Sequence, residues 1–341
     1  MRHLLIDTDT ASDDAVALIM ALRSSAVTVD AITVVSGNVP LEQGLANALY
    51  TVELCSRAGV GYAASVPVHA GASRPLLREP SHADWFHGRD GLGDMNYPRA
   101  SLRAASAHAA DAIIDACTRQ PGIELVTLGP LTNVALAVSR EPSIVTKVSR
   151  CVVMGGNPCC VGNVTPAAEY NIWCDPEAAA IVFRSGLNIE LVGWQLCRGE
   201  ANLRAADIET IRALDNELAQ FTIDCNRVAM EANRKQSGEL GIALPDPVAM
   251  SVALDPQGIV RGASRHRVEV ECHSELTRGM TVVDQLNVGN DQRNRGLWSS
   301  PAATGHGESA SSGADARRGI NVIWEIDIPK WKQLLVRSLT H

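Results

Sequence analysis

The chain has 341 residues, of which 46% are hydrophobic but only 4% aromatic. It can build a sizeable core, and Ala, Val and Leu must fill it, which suits helices packed on a parallel sheet. A formal net charge of −8 excludes a phosphate-backbone binder, which needs a basic face.

Residues 3–6 (HLLI) form a short apolar run ending in Asp7 and read as a buried first strand. Residues 15–23 have helical composition, and the β-branched residues 29–36 read as a second strand. Over 41–57 the stripe Leu41, Leu45, Ala48, Leu49, Val52 predicts a helix. The pattern recurs: strand 124–129, helix 131–140, strand 150–156, helix 176–185, strand 189–194. Residues 205–235 read as one or two long helices, 267–272 and 280–286 as a pair of strands, and 320–327 as a last strand. Alternating strands and helices predict an α/β fold, an open and mostly parallel sheet flanked by helices, forming one domain over residues 1–341. Residues 290–318 are rich in Ser, Gly, Ala and Arg without periodicity. They read as a long flexible loop, an active-site lid being the less favoured reading.

Nine cysteines occur without CxxC pairs, and Cys159 and Cys160 are adjacent. Zinc-ribbon spacing is absent, so reduced, buried thiols are expected. No apolar run reaches the length of a membrane span, and no secretory h-region is visible. A cytoplasmic protein without membrane or nucleic-acid partners is therefore expected.

The strongest signal is Asp7-Thr8-Asp9-Thr10-Ala11-Ser12-Asp13-Asp14, which places four carboxylates within eight residues between a strand and a helix. Ligands of open α/β sheets bind just past the carboxyl ends of strands. One or two of these aspartates could merely cap the helix. Four are too many for capping, because clustered like charges repel unless a cation offsets them. A hard divalent cation, Ca²⁺ or Mg²⁺, suits such oxygen ligands, and the spacing is not that of an EF-hand.

At these residues the chain resembles the nucleoside hydrolase family (inosine-uridine-preferring nucleoside N-ribohydrolases), whose opening motif is D-T-D-x-x-x-D-D. The likeness continues in order through Gly37-Asn38, His87-Gly88-Arg89-Asp90-Gly91-Leu92-Gly93, Leu128-Gly129-Pro130-Leu131-Thr132-Asn133 and Met154-Gly155-Gly156. It then runs through Gly162 to Pro166, Ala168 to Asn171, Asp175 to Ala179, Asp246-Pro247 and Arg278 to Asp284. The resemblance implies a nucleoside hydrolase-like fold with a Rossmann-like core. It also implies calcium held by Asp9, Asp14, Asp246 and the Leu128 carbonyl. The implied reaction is hydrolysis of a ribonucleoside to free base and ribose, in purine or pyrimidine salvage, by a calcium-bound water that Asp9 deprotonates. Asp13 would bind the ribose 2′-hydroxyl. Asn38, Asn163, Glu169 and Asn171 would hold the 2′-, 3′- and 5′-hydroxyls, with Met154 under the sugar. His87 would face the nucleobase as hydrogen-bond partner or acid. Taken singly, these residues have plainer readings: Asn38 and Asn163 in turns, Met154 in the core, Asp7 and Asp284 as structural carboxylates. A homodimer or homotetramer is implied.

The family's His before the last metal Asp is here Pro245, and Thr10-Ala11-Ser12 replaces the common Pro-Gly pair, so this is a branch lacking the usual active-site His. His87, stacking by Trp85 or Trp194, or else a water or the Cys159 or Cys160 thiol are the candidate substitutes, a structural role being the favoured reading for both cysteines, and base preference is not legible. Asp7-x-Asp9 after a strand also resembles a haloacid-dehalogenase-type phosphatase, but the later blocks do not fit one. The competing expectation is a non-catalytic nucleoside- or ribose-binding protein that keeps the calcium site.

Overall fold

The computed structural model describes residues 1–290 and 319–340. Strand β1 (Arg2–Thr8) leads to helix α1 (Ser12–Arg23), β2 (Val27–Val34), α2 (Leu41–Arg57) and the short β3 (Val68–Ala70). Then follow α3 (Asp84–His87), α4 (Ala109–Arg119), β4 (Glu124–Thr127), α5 (Thr132–Arg140) and β5 (Arg150–Met154). Next come α6 (Tyr170–Cys174), α7 (Pro176–Arg184), β6 (Ile189–Val192), α8 (Ala205–Arg212), α9 (Glu217–Asp224) and α10 (Arg227–Ser237). The last described elements are α11 (Pro245–Leu254), α12 (Pro256–Ile259), β7 (Val260–His266), β8 (Val268–Val270), β9 (Thr281–Val283), β10 (Ile320–Ile326) and α13 (Ile328–Leu339).

Eight strands form one sheet in the order β3-β2-β1-β4-β5-β6-β10-β7, parallel throughout except for β7 at the edge. This is the open, mostly parallel sheet expected. The strands are apolar on both faces because both are covered. In β1, Leu4 and Ile6 join the core under α1, α2, α9, α11 and α13, while Leu5 joins the core under α4, α5 and α7. Helix α1 lies so deep that residues Ser12 to Leu22 are all buried, and it therefore carries no polar face. The chain winds outward through β2 and β3 and returns to add β4 on the other side of β1. The switch point of the sheet therefore lies between β1 and β4, where α/β folds place their ligands.

Several elements depart from expectation. Residues 205–235 form three helices, because Asp215 takes a left-handed backbone (φ 47°) and Asn216 caps α9 by accepting the Ala219 N–H. The expected late pair is β8 and β9, which make a separate two-stranded antiparallel sheet. The edge strand β7 and helices α4, α11 and α13 lie outside the expected elements. All nine cysteines are free thiols, and Cys159 is exposed. Among the described residues no helix is long and apolar enough to cross a membrane. Apart from its first residue, the 290–318 segment lies outside the described residues.

Candidate active site

A cleft of about 590 Å³, part of it open solvent, lies at the carboxyl ends of the strands. Most of its lining comes from segments that follow the strands. The first turn of α1 supplies Asp13, the β2–α2 connection Asn38, and α3 supplies Trp85, Phe86 and His87. Leu128 follows β4, Met154 ends β5, and the segment after it brings Asn163, Val164, Glu169, Tyr170 and Asn171. The start of α11 adds Pro245 and Asp246.

Behind the cleft floor lie Asp9 and Asp14, both without solvent exposure. Ligand oxygens of Asp13, Asp14 and Asp246 lie within 4.8 Å of one another. Asp14 is bound on both oxygens, Oδ1 accepting from the Thr8 hydroxyl at 2.6 Å and Oδ2 from the Ala11 N–H at 2.9 Å. Asp9 accepts the Asn38 N–H through Oδ2 at 2.6 Å. Oδ1 of Asp9 and Oδ1 of Asp13 are buried without a hydrogen-bond partner among the described residues. Two glycines give Asp9 its room: a Cβ on Gly37 would stand 2.1 Å from its Oδ2, and one on Gly129 would stand 2.8 Å from its Oδ1.

Burial pushes every one of these carboxyls upward. Asp9 and Asp246 rise well above the ordinary range, burial acting first and neighbouring aspartates next. Burial also raises Asp13 to about 6, and it raises Asp14, where the Asp13 charge adds to the effect. Such a cluster is unfavourable when ionised and unaccompanied. Buried open oxygens, hard donors and mutual repulsion together fit a divalent cation.

Around this floor the polar groups are held firmly. The side-chain amide of Asn171 donates to the Leu128 carbonyl at 2.8 Å and to the Met154 carbonyl at 3.3 Å. Glu169 caps α6, accepting the N–H groups of Asn171 at 2.9 Å and Ile172 at 3.3 Å, and it also takes that of Gly156 at 2.7 Å. Burial nevertheless raises Glu169 to about 7. Asn163 accepts the Tyr170 N–H at 2.9 Å, and Gln236 of α10 donates to the Asn163 carbonyl. His87 is buried, its Nδ1 lies 2.8 Å from the Ser12 hydroxyl and 3.8 Å from Asp13 Oδ1, and burial lowers it to about 4.

The structure therefore brings together Asp9, Asp13, Asp14, Asn38, His87, Leu128, Met154, Asn163, Glu169, Asn171 and Asp246, which are scattered over the chain. Others lie elsewhere. Asp7 bonds Thr33 at 2.5 Å and Asn133 at 2.8 Å. Asp284 accepts the N–H groups of Val288 and Gly289, both at 2.8 Å. Cys159 and Cys160 lie outside the cleft lining. Trp194 lines the cleft, and Trp85, 51% exposed, stands at its mouth. Sequence reasoning missed Ser12, Phe86 and Gln236. It also gave no role to Tyr170, whose hydroxyl lies 2.9 Å from the Gly37 carbonyl and 2.7 Å from that of Ser81. Tyr170 stood inside a recognised block, whereas no local pattern marks Gln236.

A doubly wound α/β fold with a buried acidic cluster at its switch point defines an enzyme that takes a small polar substrate and could hold a metal ion. The family model described as "Inosine-uridine preferring nucleoside hydrolase" matches residues 4–332. A "Probable uridine nucleosidase 1" of Oryza sativa subsp. japonica is 35% identical over 96% of this chain and 93% of its own. A "Pyrimidine-specific ribonucleoside hydrolase RihA" of Salmonella enteritidis PT4 is 38% identical over 82% of this chain and 88% of its own. The solved plant nucleoside hydrolase PpNRh1 superposes with a TM-score of 0.84 at 30% identity, covering 99% of both chains. The chain belongs to the inosine-uridine preferring nucleoside hydrolase family, and it is a nucleoside N-ribohydrolase.

Proposed function

We propose that the chain cleaves free ribonucleosides to base and ribose with calcium at the floor of the cleft. The observation that carries this reading is the meeting of Asp13, Asp14 and Asp246 within 4.8 Å, beside the open Oδ1 of Asp9. Asp9, Asp14, Asp246 and the Leu128 carbonyl would hold the ion. Calcium accepts six to eight oxygens at flexible geometry, carbonyls included, which suits this set better than magnesium. Bound there, calcium would supply positive charge that attracts the ribose diol and lowers the pKa of the attacking water.

The chain's own groups do the rest. Asp9, its Oδ2 fixed by the Asn38 N–H, takes the proton of the attacking water through its open Oδ1. Asp13 accepts the 2′-hydroxyl. Asn38, Asn163, Glu169 and Asn171 hold the remaining ribose hydroxyls over Met154. As the bond from C1′ to the base breaks, the ribose gains oxocarbenium character, and the surrounding carboxylates stabilise it in a site shielded from water. His87 faces the base. Both relatives are named for uridine or pyrimidine nucleosides, so uridine is the first substrate to test. Assays over uridine, cytidine, inosine, adenosine and guanosine, before and after chelation, examine the reading. Turnover should vanish on chelation and return with calcium. Full turnover after exhaustive chelation, with no ion in the protein by elemental analysis, would rule the reading out.

A further inference from the structure

Pro245 stands at the cleft where the family resemblance implies a His, and proline has no proton to offer. What the leaving base meets instead depends on which nitrogen of His87 carries hydrogen. Ser12 decides that question. Its hydroxyl is fully buried in the first turn of α1. Its polar partner among the described residues is His87 Nδ1, at 2.8 Å.

Two arrangements are conceivable. If Nδ1 carried the hydrogen and donated to Ser12, the hydroxyl's own hydrogen would be left buried without an acceptor, which is costly. The nearest carboxylate oxygen, Asp13 Oδ1, is 3.8 Å from Nδ1, too far to compete as a hydrogen bond. If Ser12 donates to Nδ1, both groups are satisfied and the hydrogen sits on Nε2. With Nδ1 turned toward Ser12, Nε2 is the nitrogen left for the cleft that His87 lines. The main chain holds the ring's attachment from both sides, the His87 N–H donating to Ala83 and its carbonyl accepting from Gly93, each at 2.9 Å.

We propose that Ser12 is a positioning residue that fixes His87 as the neutral Nε2–H tautomer, so that the ring offers a hydrogen-bond donor to an acceptor atom of the leaving base. That acceptor is a carbonyl oxygen or an unprotonated ring nitrogen. The inference rests on the proposed nucleoside hydrolysis. It deepens it, because the donor meets charge that develops on the base only as the bond breaks. Its effect therefore falls on kcat more than on KM.

Two measurements test it. In protein with ¹⁵N-labelled histidine, the His87 signals, assigned by their loss in His87→Gln, should show Nε2 protonated and Nδ1 bare. A protonated Nδ1 would overturn the proposal. Kinetically, Ser12→Ala, Ser12→Thr, His87→Gln and the Ser12→Ala/His87→Gln double variant are compared on uridine, inosine and 4-nitrophenyl riboside. The last has a leaving group that departs without a donor. The ratio of nucleoside to nitrophenyl-riboside kcat should fall about tenfold in Ser12→Ala, as loss of one hydrogen bond implies. It should recover in Ser12→Thr and be no lower in the double variant than in His87→Gln. An unchanged ratio in Ser12→Ala, or fully additive losses in the double variant, would overturn the proposal. Unaltered protein that turned over neither substrate would instead sink the hydrolytic reading beneath it, while the NMR result would still report the tautomer.

Discussion

Asp9 has one oxygen engaged by a backbone N–H and one left open in a pocket that two glycines keep clear. A general base needs that combination, a fixed orientation with a free lone pair. Asp9→Asn keeps the shape and removes the basicity. Turnover of uridine is expected to drop about 10²–10⁴-fold, while the thermal midpoint of the metal-free protein does not fall, because one like charge leaves the cluster. Steady-state kinetics and melting curves on the same preparation check both parts. His87 carries a second expectation. Burial lowers it to about 4, and a bound cation would lower it further. The pH profile of kcat/KM should therefore show no histidine step between pH 6 and 7. A step there that disappears in His87→Gln would contradict the neutral donor.

Among the elements, α11 ties the site to the far side of the sheet. Its first turn carries Asp246. At its other end Arg150 donates to the carbonyls of Val252 at 2.9 Å and Ala253 at 3.1 Å, and Arg2 donates to that of Leu254 at 2.9 Å. Cations at a helix C-terminus satisfy orphan carbonyls and favour the dipole. Both arginines also pair with Glu124, and Arg150 with Glu190, in largely buried contacts. Arg150→Ala would take from Glu190 and the Val252 carbonyl their arginine partner, with Arg2 still holding Glu124 and the Ala253 carbonyl, and the expected loss is about 2 kcal/mol in urea unfolding. Arg150→Lys should recover only part, because an ammonium cannot reproduce the forked contacts. A loss under about 0.5 kcal/mol, the range of ordinary surface substitutions, would show that the clamp is not needed.

At the scale of the molecule, the buried carboxyls couple stability to pH and, under the proposed function, to calcium. Burial raises Asp7 and Glu169 to about 7 and Asp13 to about 6. Their folded values exceed their unfolded ones, so the native state binds more protons than the unfolded chain. Stability from these groups is complete below about pH 4 and is lost as the pH rises through about 7. The metal-free protein should therefore melt at a higher temperature at pH 5.5 than at pH 8. Calcium, binding the ionised native state, should flatten that slope and raise the midpoint at pH 8, by about 2.7 kcal/mol of stability at a hundredfold excess over its Kd. Scanning calorimetry with and without chelator reads both effects. An unaltered midpoint at millimolar calcium would argue against an ion in the cluster.

Much was legible beforehand. Continuous apolar strands alternating with helices announced a parallel sheet, because a strand covered on both faces needs no polar side and its connections must cross over as helices. The local density of Asp7, Asp9, Asp13 and Asp14 pointed to a polar site, because crowded like charges must be offset or protonated once burial removes water. What the sequence could not decide was which distant residues meet them. Asp246 reaches Asp14 only through the way α11 packs beneath the sheet, and Ser12 meets His87 only because α3 folds back over the first turn of α1. Likewise only the fold brings Asp13, at the head of α1, within 4.8 Å of Asp246, more than two hundred residues on. Covalent neighbours fix periodicity and local charge, whereas contacts across many residues depend on the sum of packing over the whole core, which no local pattern carries.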